Sequence, residues 1–130
     1  MAIPMKSIFL FITLFSIAAC ANQTPKFSGA NVTARGSDEP NSLCPNLTLK
    51  NQEALTFFTK AKEVSVIEIH DQYDYLPCYV KGTISRKDNS TYSTCDFSIR
   101  AGGTAELACN EEEIKFYACK TCDNLFKDKP

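Results

Sequence analysis

Residues 76–109 read LPCYVKGTISRKDNSTYSTCDFSIRAGGTAELAC, and this stretch decides the fold. Leu76, Cys78, Val80, Gly82 and Ile84 alternate with Pro77, Tyr79, Lys81, Thr83 and Ser85. A period of two is the mark of a strand with one face buried and one face wet. Cys95, Phe97 and Ile99 then alternate with Thr94, Asp96, Ser98 and Arg100, and Ala105, Leu107 and Cys109 follow the Ala101-Gly102-Gly103 turn. A reversal centred on Gly102 sets Phe97 against Leu107, Ile99 against Ala105 and Cys95 against Cys109. A second at Asp88-Asn89 sets Val80 against Phe97, Cys78 against Ile99 and Gly82 against Cys95. All these pairs fall on one face, and a one-residue slip would turn every side chain over. After the polar loop Asn110 to Glu113, the same spacing puts Ile114, Phe116 and Ala118 on the core side, with Lys115 and Tyr117 opposite.

Outward from this meander, Asn51 is placed to cap a helix over Gln52 to Lys62, whose Ala54, Phe57, Phe58 and Ala61 share one face. Val64, Val66, Ile67 and Ile69 make the stretch from Val64 to Ile69 read as a strand. The expected fold is α+β: one helix packed on an antiparallel β-meander of about five strands, stapled by disulfides. The 130 residues suffice for one domain. Lys plus Arg number 14 against 15 Asp plus Glu, so the net charge of −1 argues against a strongly basic nucleic-acid binder. A single histidine excludes a metal centre built on several histidines.

The N-terminus has the form of an export signal: Lys6, an apolar run from Ile8 to Phe15, then Ala18 and Ala19. That run is too short for a permanent membrane span. Ile17-Ala18-Ala19-Cys20 resembles the lipobox of small bacterial envelope lipoproteins. The resemblance implies a signal peptide over 1–19, lipidation of Cys20 as a palmitate-bearing membrane anchor, and residence in the bacterial cell envelope, at the outer membrane and periplasm, in either leaflet. Residues 20–42 hold Pro25, Gly29, Gly36 and Pro40 among polar residues and read as a flexible tether to a domain over 43–130. Ordinary cleavage after Ala21 is the alternative and leads to a secreted protein. The sequons at Asn22, Asn31, Asn46 and Asn89 fit a glycosylated eukaryotic version of that alternative.

Seven cysteines less Cys20 leave six, an even number. Cys95 and Cys109 are expected to bridge, with Gly82 beside Cys95 leaving room for sulfur. Cys44, Cys78, Cys119 and Cys122 permit three pairings. The meander register turns Cys119 away from the core, which favours Cys119 or Cys122 reaching a segment outside the sheet, such as Cys44. Cys119-Lys120-Thr121-Cys122 also admits a thiol–disulfide oxidoreductase, or zinc with Cys95 and Cys109. A CxxC that follows a strand in an exported domain reads better as structural, so no metal or cofactor is expected.

Three further features carry weaker chemistry. His70-Asp71 pairs a base with an orienting acid, but neighbours in a strand point apart. Arg100 to Thr104 is compatible with an anion-binding turn, although a hairpin already accounts for both glycines. Tyr73, Tyr75 and Tyr79, with Asp71 and Asp74, form an aromatic and acidic cluster suited to a contact surface. The expectation is a non-catalytic domain that binds another protein or an envelope component. Inhibitors of other proteins, lysozyme inhibitors included, occur among the envelope lipoproteins it resembles.

Overall fold

The computed structural model describes residues 26–40 and 47–126. Within them six strands form one antiparallel sheet: β1 (Phe27–Ser37), β2 (Lys62–Val64), β3 (Cys78–Asp88), β4 (Thr91–Arg100), β5 (Thr104–Cys109) and β6 (Lys115–Ala118). Their spatial order is β1-β3-β4-β5-β6-β2, so the β3–β6 meander is extended by β1 at one edge and by β2 at the other. Three helices accompany it: α1 (Asn51–Lys60), α2 (Val66–Gln72) and α3 (Asp123–Phe126).

The β4–β5 hairpin has the register its turn demands, with Cys95 against Cys109, Phe97 against Leu107 and Ile99 against Ala105. Gly103 takes φ +85°, a conformation that favours glycine, and its N–H donates to Arg100 O. The β3–β4 hairpin reverses one residue later than expected. Asp88 pairs with Thr91, leaving Asn89-Ser90 in the turn, and Asn89 adopts φ 55°. Val80 therefore faces Ile99, Gly82 faces Phe97 and Ile84 faces Cys95. The pairing has moved by two residues, so every side chain keeps its face. Gly82 is small for a different reason than room for sulfur. A Cβ there would stand 2.1 Å from Asn31 O on β1 and 2.8 Å from Phe97 Cζ.

In β6 the face itself changes. The β5–β6 reversal is centred on Glu111, pairing Leu107 with Lys115 and Ala105 with Tyr117. Asn110 at φ 53° and the Glu112 N–H bond to Cys109 O tighten this turn relative to a four-residue loop. Lys115 and Tyr117 consequently lie on the core side. Tyr117 is buried, while Phe116 goes to the opposite face. Cys119 turns inward with Tyr117, into the core cluster, and pairs with Cys122 rather than with a distant segment. Cys95 and Cys109 are bonded with their Cα atoms 4.3 Å apart. Cys78 is disulfide-bonded as well. Cys44, Cys20, the signal segment and the first part of the expected tether lie outside the described residues.

Two corrections concern elements. Phe27–Ser37, placed within the flexible tether, is the long edge strand β1. Register shifts after Ser28 and after Val32, with Gly29 at φ +61°, interrupt its period of two and hide it from pattern reading. The stretch Val64 to Ile69 is not one strand. β2 stops at Val64, and Ser65 caps α2 by accepting the Glu68 N–H through its hydroxyl.

α1 covers the core face. Lys50, not Asn51, is its N-cap, with Glu53 Oε1 accepting the Lys50 N–H. Asn51 instead accepts the Val32 N–H at 2.8 Å, tying the helix to β1. Ala54, Phe57 and Phe58 are buried at 0%, 0% and 1% exposure, and each phenylalanine so buried contributes about 2–3 kcal/mol. Arg86 is the buried charged residue on this face, 2% exposed. Its guanidinium reaches the edge of the core and pairs with Asp88 at 2.7 Å and Glu112 at 2.8 Å.

Two substitutions probe this arrangement by urea unfolding. Replacing Cys95 and Cys109 together by Ala should lower stability by about 3 kcal/mol, the chain-entropy value for a loop of this length. Gly82→Ala should cost about 1–3 kcal/mol through the clash with β1 and Phe97. An unchanged midpoint would show that β1 does not lie on β3 as described.

Candidate functional site

With α1 on one face of the sheet, the other face carries the outward residues of β4, β5 and β6. Arg100, Thr104, Glu106 and Phe116 form a floor there, and α2 lies above it with Val66, Ile69, His70 and Tyr73 turned towards them. The i, i+3, i+4, i+7 spacing of those four residues puts them on one side of a helix. Between floor and helix is a groove of about 480 Å³, within the range of ordinary ligand pockets. No residue of α2 is buried, and Val66 and Ile67 remain 57% and 69% exposed.

One end of the groove is walled by the segment after α2, and Arg100 holds that wall in place. Its guanidinium pairs with Asp38 Oδ2 at 2.7 Å and donates to Leu76 O at 3.3 Å. The same group lies 4.7 Å from the Tyr75 ring centre and 5.6 Å from that of Tyr79, within cation–π range of both. The Tyr75 hydroxyl donates to Asp38, and the Asp38 N–H donates to Pro77 O at 3.1 Å. Two glycines let the backbone come this close. A Cβ on Gly102 would be 2.6 Å from Asp74 O, and one on Gly36 would be 2.8 Å from the Tyr79 hydroxyl. The Tyr75 hydrogen bond and the Arg100 charge hold the Asp38 carboxyl below its ordinary pKa. Donating its hydrogen bond to Asp38, together with desolvation, pushes the Tyr75 hydroxyl above its own.

Of the three tyrosines expected to form a contact surface, Tyr75 and Tyr79 are gathered around Arg100. Tyr73 and Tyr75 line the groove, and Tyr79 stands beyond the guanidinium, with Lys81 Nζ 4.8 Å from its ring centre. Glu106 and Phe116 were not singled out from sequence. Glu106 sits half-buried between Ser98 and Phe116, and among the described residues it has no hydrogen-bond or ion-pair partner.

Other sequence candidates fall elsewhere. His70 and Asp71 lie on a helix, not in a strand, and their side chains meet at 3.1 Å, exposed at 88% and 64%. The Arg100 to Thr104 turn directs the Gly103 N–H to Arg100 O, and Arg100 itself is engaged by Asp38, so the segment is a hairpin turn and not an anion cradle. Cys119 and Cys122 are 3% and 0% exposed. Sequon residues Asn31 and Asn89 are exposed; Asn22 and Asn46 lie outside the described residues. Among the described residues no group of three His, Cys, Asp or Glu side chains is placed to hold a metal ion, and no helix is long and apolar enough to cross a membrane. No family model, curated protein or solved structure matches the chain.

The clamp predicts a pH response with a definite sign. The Asp38 carboxyl ionises at lower pH in the folded protein than in the unfolded one, so its contribution is present above the ordinary value of 3.8. It is lost as pH falls through the lowered folded value. Tyrosine-ring NMR signals of Tyr75 and Tyr79 should therefore move together at acid pH in the wild type and not in Asp38→Asn. Arg100→Ala should raise hydrogen exchange at the Asp38 amide at every pH.

Proposed function

We propose that the chain is a non-catalytic binding domain of the bacterial cell envelope, anchored through a lipid on Cys20, which holds a protein partner in the groove beneath α2. The observation that carries the binding reading is an open groove to which α2 contributes the apolar side chains of Val66 and Ile69. Val66, 57% exposed, adds nothing to the core of the domain, yet lines a preformed concavity that also holds Tyr73, Tyr75 and Arg100. Concave apolar surface with a few polar groups, and tyrosine and arginine at its edge, is the composition of binding sites. The lipid anchor rests on Ile17-Ala18-Ala19-Cys20. Such a partner would be held near the membrane, and its inhibition is one outcome of holding it.

The non-catalytic part of the reading is supported by the state of the CxxC. Both sulfurs belong to the core cluster, so a substrate disulfide has no approach to them without local unfolding.

Two measurements test the proposal. Intact mass and membrane fractionation should show an acylated protein that becomes soluble in Cys20→Ser. An unchanged distribution overturns the anchor. A photo-crosslinking amino acid at Tyr73 or Phe116, in cells that produce the chain natively, should yield one defined adduct. The same group at Tyr92, on the far hairpin, should yield none. Equal labelling at all three sites would remove the groove as the binding surface.

A further inference from the structure

Filling the groove has an electrostatic consequence for Glu106. It is half-buried, bounded by Ser98 and Phe116 along the sheet, and without a hydrogen-bond or ion-pair partner among the described residues. Water solvates it while the groove is open. An occupant that displaces that water without supplying a donor leaves a desolvated carboxylate, which opposes binding. The other charges at the site offer no internal remedy. Arg100 is engaged by Asp38 and Leu76 O, and Asp74 is a second carboxylate at the same end.

We infer that the groove takes a lysine or arginine side chain of the protein partner, with its cationic head on Glu106 and apolar neighbours against α2. Tyr73, Tyr75 and Phe116 line the same groove, and aromatic rings accommodate a cation as well as its aliphatic stem. Val66 and Ile69, one turn apart on the groove side of α2, extend the apolar lining along the helix beyond what a small amine would cover, and this selects a peptide segment as the occupant. The inference rests on the groove being the binding surface and assigns the chemistry recognised there.

The test is a titration of isotope-labelled protein, followed by amide NMR, with three peptides: acetyl-Ile-Arg-Leu-amide and its Gln and Glu counterparts. The Arg peptide should perturb Ile69, Tyr73, Glu106 and Phe116 and bind about fivefold more tightly than the Gln peptide, the size of a partly exposed ion pair. The Glu peptide should be weakest. In Glu106→Gln the Arg and Gln peptides should become equal, with Gln-peptide affinity retained. Equal binding of the Arg and Gln peptides to wild type overturns the charge assignment and leaves the groove reading standing. Binding of n-hexylamine as tight as that of the Arg peptide overturns the peptide segment as occupant. If none of the three peptides perturbs the groove at millimolar concentration, both this inference and the groove reading fall.

Discussion

The ring of Phe58 is the point on which the fold depends. It lies 5.3 Å from the ring centres of Phe27 and Phe57, 5.5 Å from that of Phe97 and 5.7 Å from that of Tyr117. Those partners belong to β1, α1, β4 and β6, so one side chain joins the helix to both flanks and the centre of the sheet. The geometry is tilted or edge-to-face throughout, the arrangement that aromatic quadrupoles favour. β1 belongs to the sheet because Phe27 reaches this cluster. Gly82 is forced on β3 because β1 and Phe97 both crowd it from there.

A helix on one face leaves the other face of the sheet to be managed. Ten residues of α1 satisfy the core, whereas α2 is too short and too exposed to repeat the arrangement. It stands off from the sheet, and a groove results. The groove keeps its shape because the segment following α2 is tied down by a charged group rather than by burial: Arg100 engages Asp38, Leu76 and two tyrosine rings at once. A planar guanidinium can hold several partners in fixed directions, which a lysine could not. The site's geometry therefore rests on hydrogen bonds and charge, while the core rests on packed aromatics.

This division explains what was legible in the sequence. The β4–β5 hairpin was readable to the residue, because a Gly-Gly turn and strict alternation permit a single register. β3–β4 was readable by face but not by pairing, since its turn lacks a glycine to mark the centre. β6 was assigned to the wrong face, because half a residue in the position of a polar loop decides which of Phe116 and Tyr117 is buried. Two bulges erased the pattern of β1. α2 was hidden by four β-branched residues between Val64 and Ile69, although Ser65 and Glu68 carry the spacing of a helix start. The tyrosine cluster was visible as composition. Glu106 was not, because it reaches the groove only through the strand order that sets β5 beneath α2.

The placement of the disulfides bears on why this face is free for the binding role proposed for it. A domain of this size buries little surface, and exported domains compensate with covalent staples. Cys95, Cys109, Cys119 and Cys122 all belong to the core cluster. Cys119–Cys122 also fixes the chain between β6 and α3, whose Leu125 closes that cluster at 8% exposure. None of these sulfurs lines the groove among the described residues. Covalent and aromatic stabilisation are thus concentrated on the α1 side, and the groove side contributes little to holding the chain folded. Substitutions of Val66, Ile67 or Glu106 are consequently cheap for the fold. The exposure of an apolar Val66 in the groove is then best understood through what the groove is proposed to bind.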